Sequence, residues 1–138
     1  MDPNVNILQV DLTNAFGMAE RGPALDLVAE HFPDIYNWCQ RSYGGETVMM
    51  FGKETIYSTK GWHQGDPLAP LLFSLGLVRL THSIQEQVEG LRLHVWFLDD
   101  GHIGGSVEQL TEVARIISEE GPELGLHVSR GPGGKSKL

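Results

Sequence analysis

Cysteine is nearly absent: among 138 residues there is one, Cys39. A lone thiol excludes an internal disulfide framework and any zinc site built on several thiolates, and it leans toward an intracellular protein. Cations are scarce too, with 10 Lys and Arg against 18 Asp and Glu and a formal charge of -8. A free-standing nucleic-acid binder is normally basic, because neutralising phosphates supplies most of its affinity. No apolar run approaches bilayer-spanning length, and the N-terminus lacks the basic-then-apolar order of a signal peptide, so no membrane partner is expected. The six histidines are scattered, with no helical pair spaced for zinc. What is present, 41% hydrophobic and 20% charged residues, suffices for the core of one acidic domain.

Asn4 to Val10 has the apolar content of a short buried strand ending at Asp11. Amphipathic spacing predicts a helix over Pro23 to Phe32, and a second short helix after Pro33 that stops before Gly44-Gly45. Thr47 to Phe51 and Glu54 to Thr59 fit a hairpin turning at Gly52-Lys53. The loop Gly61 to Pro70 leads into a long helix reaching about Val88. Leu91 to Leu98 alternates as a strand, Asp99-Asp100-Gly101 has the composition of a tight turn, and His102 to Gly105 returns as its partner. An amphipathic helix over Val107 to Ser118 and a short strand over Leu126 to Ser129 complete an α+β pattern: an antiparallel sheet with helices on one face, in β-α-β-β-α-β order. Residues 1–130 are expected to form the domain and 131–138, rich in Gly and Lys, a flexible tail.

Two constellations carry chemistry. Asp11 ends one strand, and Asp99 with Asp100 lies at the tip of a hairpin. If those strands neighbour each other, three carboxylates converge at one rim of the sheet. Unshielded they repel and raise one another's pKa; divalent cations between them reverse that. Mg²⁺ takes carboxylate oxygens together with substrate phosphates, and two ions about 3.5–4 Å apart stabilise both oxygens of an in-line phosphoryl displacement. Singly, each aspartate is better explained as a turn or cap residue. The second constellation is Gly61-Trp62-His63-Gln64-Gly65-Asp66-Pro67, where glycines allow close backbone approach, Asp66 suits an N-cap and Pro67 suits a helix start. On physical grounds alone a structural loop and cap is the favoured reading.

Asp11-Leu12-Thr13-Asn14-Ala15-Phe16, Gln64-Gly65-Asp66-Pro67-Leu68-Ala69-Pro70-Leu71-Leu72-Phe73 and Phe97-Leu98-Asp99-Asp100, in that order, resemble the three core palm motifs of reverse transcriptases, especially those of non-LTR retrotransposons and group II introns. The resemblance runs from about Val5 to Ser129. It implies a ferredoxin- or RRM-like palm fold and RNA-directed DNA polymerase activity, a two-metal nucleotidyl transfer to a primer using Mg²⁺ or Mn²⁺. By the same resemblance Asp11 and Asp99 would hold metal with Asp100 in support, the Leu12 carbonyl would complete the shell, and Phe16 would stand beneath the sugar as a gate against ribonucleotides. Gln64 and Gly65 would contact the incoming nucleotide. Partners would be an RNA or DNA template, a primer and dNTP, and retroelement kinship brings the nucleus into consideration as its location. A core aromatic is an equal reading of Phe16.

The chain departs from the family at Phe97, where Tyr is usual, and at Ser129, where Asn is usual; Gly131-Pro132-Gly133-Gly134 then separates Ser129 from Lys135 and Lys137. Loss of the Tyr hydroxyl is expected to matter little because Phe keeps the packing. For Lys135 and Lys137 a solvated tail is favoured over a proton donor to pyrophosphate. Fingers and thumb are not recognisable around the palm motifs, so weak or absent polymerisation by this chain alone is expected, with the missing parts supplied by other chains or replaced by self-association. The alternative is a non-catalytic palm relic serving as a scaffold or interaction module. A nucleotide cyclase or other Asp-metal phosphotransferase is disfavoured, because Gln64-Gly65-Asp66-Pro67 has no reason to accompany the aspartates there.

Overall fold

The computed structural model describes residues 5–129. Its elements in chain order are β1 (Asn6–Asp11), α1 (Ala15–Met18), α2 (Gly22–His31), α3 (Pro33–Tyr43), β2 (Thr47–Phe51), β3 (Glu54–Ser58), α4 (Ala69–Gln87), β4 (Leu93–Phe97), β5 (Asp100–Gly105) and α5 (Val107–Glu120), followed by a 3₁₀ turn, Gly121–Leu124. The prolines sit where their fixed φ helps: Pro23 and Pro33 each lie in the first turn of a helix. Ser106 and Gln109 close a capping box that starts α5.

The main sheet is antiparallel in the order β1-β5-β4, and β2 with β3 forms a separate two-stranded hairpin. Beyond β1 the sheet is extended by a single bridge, Leu12 to Val128, in which the Thr13 N–H donates to the His127 carbonyl (2.7 Å) and the Ser129 N–H to the Asp11 carbonyl (2.9 Å). The terminal strand expected over Leu126 to Ser129 is thus reduced to one rung. With it, β1, β4, β5 and the intervening helices follow the β-α-β-β-α-β connection, and the fold is α+β as expected.

One face of the sheet carries the core. Leu8, Val10, Leu12 and Ile103 are buried beneath α4 and α5, whose Phe73, Leu80, Ile84, Leu110, Val113 and Ile117 are buried with them. Truncating any of these to Ala is expected to cost about 2–5 kcal/mol. Alternation then points Ile7, Leu93, Val95 and Phe97 to the opposite, open face. Phe97 is 78% exposed, so the expectation that it preserves packing is corrected.

The hairpin turn also differs from expectation. Phe97 pairs with Asp100, which leaves Leu98 and Asp99 as the two-residue turn and makes Asp100 and Gly101 part of β5. Gly101 faces Trp96 across the strands, and a Cβ there would lie 2.7 Å from the indole ring. The glycine marks a crowded strand position and not a turn. Residue Asn4 of the predicted first strand, and the tail with Lys135 and Lys137, lie outside the described residues.

Candidate functional site

The register of the main sheet sets the acidic end. Asp11 is paired with Asp100 across β1 and β5, and both alternate with core-facing residues, so both belong to the open face. Directly opposed side chains on neighbouring strands stand about 5 Å apart, and like charges in that relation destabilise a sheet unless something of opposite charge joins them. Asp99 occupies the second position of the adjoining turn, where its carbonyl accepts from the Leu12 N–H at 3.3 Å. Two strands far apart in sequence therefore bring Asp11, Asp99 and Asp100 to one end of one sheet. Leu12 is buried in the core face and turns its backbone N–H toward the hairpin.

That turn is strained. Leu98 has φ 52°, a left-handed value that a bulky side chain rarely adopts. Positive φ at the first central residue only is the type II′ pattern, in which Gly is usual. Such backbone costs about 1–3 kcal/mol and concentrates at functional sites.

The second constellation forms its own tight turn. The Asp66 N–H donates to the His63 carbonyl at 3.2 Å, and Gly65 has φ 93°, the type II pattern that requires Gly at its third residue. Nothing lies within 4 Å of a Cβ built on Gly65, and Gln64 is exposed beside it. Gly61 differs: a Cβ there would come within 2.4 Å of the Gly17 carbonyl oxygen, so its close approach is to this chain's own backbone. The Gly61 N–H donates to Ala19 (2.9 Å) and the Trp62 N–H to Phe16 (2.8 Å), which ties this loop to the segment following Asp11. Gln64 also borders an open depression of about 550 Å³ shared with Gly17, Met49 and Trp62.

Asp66 does not cap α4 as expected. Its Oδ1 accepts from the Leu68 N–H at 2.8 Å, forming a turn ahead of the helix, and its Oδ2 accepts from the Tyr43 hydroxyl. Helix α4 begins at Ala69, with Pro70 in its first turn. Phe16 stacks on Phe73 of α4, with ring centroids 5.2 Å apart and planes inclined 26°, and is partly buried against the core. Trp62 is 4% exposed and packs edge-on to Tyr43, so this indole is a core residue and not a surface for stacking bases. Trp38, by contrast, stands 65% exposed on α3. Cys39 is fully buried as a small core residue, and burial pushes its thiol pKa up.

Two residues central to the loop gave no local signal. Arg21 is 5% exposed and donates to the carbonyls of Gly61 (2.7 Å), Lys60 (3.0 Å), Ser58 (3.2 Å) and Gly45 (3.3 Å) and to the Ser58 hydroxyl (2.9 Å). Burial lowers its pKa. Tyr43, 2% exposed, lies beneath the Arg21 guanidinium at 5.3 Å, and burial with its bond to Asp66 pushes its pKa up to about 12. Their partners are some 20 to 40 residues away in sequence, out of reach of any pattern in a local window.

The chemistry of the donor set suits a hard cation that takes one or two carboxylates from the protein and the rest of its shell from substrate phosphates and water. Among the described residues no group of three or more His, Cys, Asp or Glu side chains is gathered to hold a metal ion on its own. Among those residues also, no helix is long and apolar enough to cross a membrane. No protein-family model matches the chain, and a search of curated proteins finds no significant match.

Proposed function

We propose that this chain is the palm of an RNA-directed DNA polymerase, which joins deoxynucleotides to a primer by metal-assisted nucleotidyl transfer. The observation that carries the proposal is the pairing of Asp11 with Asp100 on the open face, beside the strained turn holding Asp99. Asp11 and Asp99 would be the principal ligands, with Asp100 alongside and the Leu12 carbonyl as a further oxygen. Bound Mg²⁺ or Mn²⁺ would supply charge stabilisation for the attacking and leaving oxygens. The protein's part is placement. Opposed carboxylates stand at one end of the sheet, and triphosphate oxygens would complete a shell that the side chains alone leave open. Gln64 and Gly65, at an exposed turn tied through Trp62 to Phe16, would contact the nucleotide.

The Phe16 ring has a double duty under this reading. Its stack on Phe73 fixes the plane, and its partly exposed edge would exclude a ribose 2′-hydroxyl. A Phe16→Ala variant is expected to narrow the preference for deoxynucleotides over ribonucleotides.

The test is binding of dNTP in the presence of Mn²⁺, by calorimetry, to wild type, Asp11→Ala and Asp99→Ala. Both variants should lose tenfold or more in affinity. Equal affinities in all three would remove the polymerase site. A second reading, a palm retained as a scaffold, is favoured by the absence of a ready-made three-residue metal group among the described residues. A folded wild type with no measurable nucleotide binding would select it.

A further inference from the structure

The geometry points to Tyr43 as the positioning residue of the nucleotide-contacting turn, because its one hydroxyl is bonded to both ends of the His63–Asp66 segment. The inference rests on the proposed function for what the turn is used for, and on the structure for how the turn is held. The Tyr43 oxygen accepts the His63 N–H at 3.3 Å and donates its own proton to Asp66 Oδ2. Gln64 and Gly65 lie between those anchors.

Between those anchors the turn closes on its own backbone, the Asp66 N–H donating to the His63 carbonyl at 3.2 Å. Gln64 is exposed, and the space around Gly65 is open to 4 Å. The presentation of the tip is therefore set at its corners. On the Trp62-His63 side no second polar anchor is present: Trp62 Nε1 and His63 Nε2 are both buried and find no hydrogen-bond partner within the described residues. Unpaired buried groups favour other loop arrangements in which they reach water, so the native turn has to be fixed against that tendency. Tyr43 can do so because its ring is clasped on three sides. Trp62 meets it edge-on at 5.0 Å, His63 lies 4.9 Å away, and the Arg21 guanidinium covers it at 5.3 Å. Arg21 in turn grips the strand-to-loop segment through the Ser58, Lys60 and Gly61 carbonyls. The buried cation thus covers the ring of one phenol whose hydroxyl bonds the Asp66 carboxylate, and Tyr43 links them.

Tyr43→Phe keeps the ring contacts and deletes the anchor. The experiment compares wild type and Tyr43→Phe by amide hydrogen exchange over residues 61–68 and by Mn²⁺-dependent dNTP affinity, with Mn²⁺ binding alone as a reference. Exchange at His63 and Asp66 should accelerate about tenfold, and dNTP affinity should fall about tenfold, as loss of a hydrogen bond to a charged group implies; binding of Mn²⁺ alone should not change. A general loss of packing would instead speed exchange in α4 and the main sheet as well. Asp66→Asn, which keeps an oxygen for the hydroxyl, should fall between the two and serves as the second variant if Tyr43→Phe does not fold. Unchanged exchange at His63 and Asp66 overturns the anchoring role. Faster exchange with unchanged nucleotide affinity overturns the link from anchoring to binding. Wild type that binds no dNTP removes the polymerase reading and that link with it, while the exchange result still decides whether Tyr43 fixes the turn.

Discussion

Two tight turns of this molecule, at Leu98-Asp99 and at Gln64-Gly65, are built in opposite ways. At Leu98-Asp99 a bulky residue occupies the positive-φ position, and the nearby glycine, Gly101, is spent on making room for Trp96. At Gln64-Gly65 the glycine supplies the positive φ and there is open space around it. The first turn is determined by the two sheet strands it joins, so it tolerates strain. The second joins a loop to a helix, has no ladder to define it, and depends on an unstrained backbone with a pinned base. In both cases a glycine within two residues of an aspartate looks the same in sequence and answers to a different force.

Four substitutions or conditions would break or sharpen that contrast. The largest effect is expected for Gly101→Ala, because the new methyl group meets the Trp96 ring at 2.7 Å; overpacking of this kind costs about 1–3 kcal/mol by urea unfolding. Trp96→Leu in the same background should recover part of it. If Gly101→Ala is neutral, the glycine has no steric role.

Next is alkaline pH. Tyr43 titrates near pH 12 when folded and at its ordinary value near 10 when unfolded. The unfolded state therefore releases this proton first, and stability falls as pH rises from about 10 to about 12, by on the order of 2 kcal/mol. Tyr43→Phe should lack that component of the fall. Arg21, Asp66 and His63 face the phenol, and none of them removes the sign: the first stabilises the phenolate, the second opposes it more strongly.

Gly65→Ala comes third. There is room for the methyl group, so only the backbone conformation resists, at about 1–2 kcal/mol. A cost matching that of Gly101→Ala would mean that the two turns are not built differently. The smallest effect is expected for Leu98→Gly. Relief of the left-handed strain offsets the lost packing of a partly buried side chain and the added entropy of glycine, leaving a net change within about 1 kcal/mol of zero. A loss above that would show Leu98 to be held by its packing and its φ to be of little cost.

Much of the fold was legible from local pattern. Helices α2 to α5, the Gly52-Lys53 hairpin and the strand ending at Asp11 fall within about two residues of their expected bounds, because periodicity and proline placement are local properties, whereas the short α1 was not expected. The convergence of Asp11 with Asp99 and Asp100 required a family resemblance, since pairing of β1 with β5 spans about 90 residues. The misplacements share a cause. Asp99-Asp100-Gly101 has the composition of a turn, yet the demand of Trp96 for space one rung away decided where Gly101 went. Asp66 looked like a helix cap, and a phenol 23 residues earlier took one of its oxygens. Tertiary partners redirected residues whose local chemistry suited several roles.

The acids of α5 follow the same rule in milder form. Glu112 pairs with Arg115 at 2.6 Å, Glu119 also bonds to it, and Gln87 donates to Glu120 at 2.9 Å, so the exposed acids of this helix are partly laced together. Exposed pairs of this kind contribute little stability.

The central claim is that a cation is held at the sheet end between Asp11 and the Leu98–Asp100 corner. Paramagnetic broadening by Mn²⁺ measures this directly, with and without dNTP, in wild type and in Asp11→Ala. Amide signals of Leu12, Asp99 and Asp100 should broaden first in wild type, more strongly with dNTP, and far less in the variant. Broadening that spreads evenly over the acidic surface, or that survives unchanged in Asp11→Ala, would contradict it.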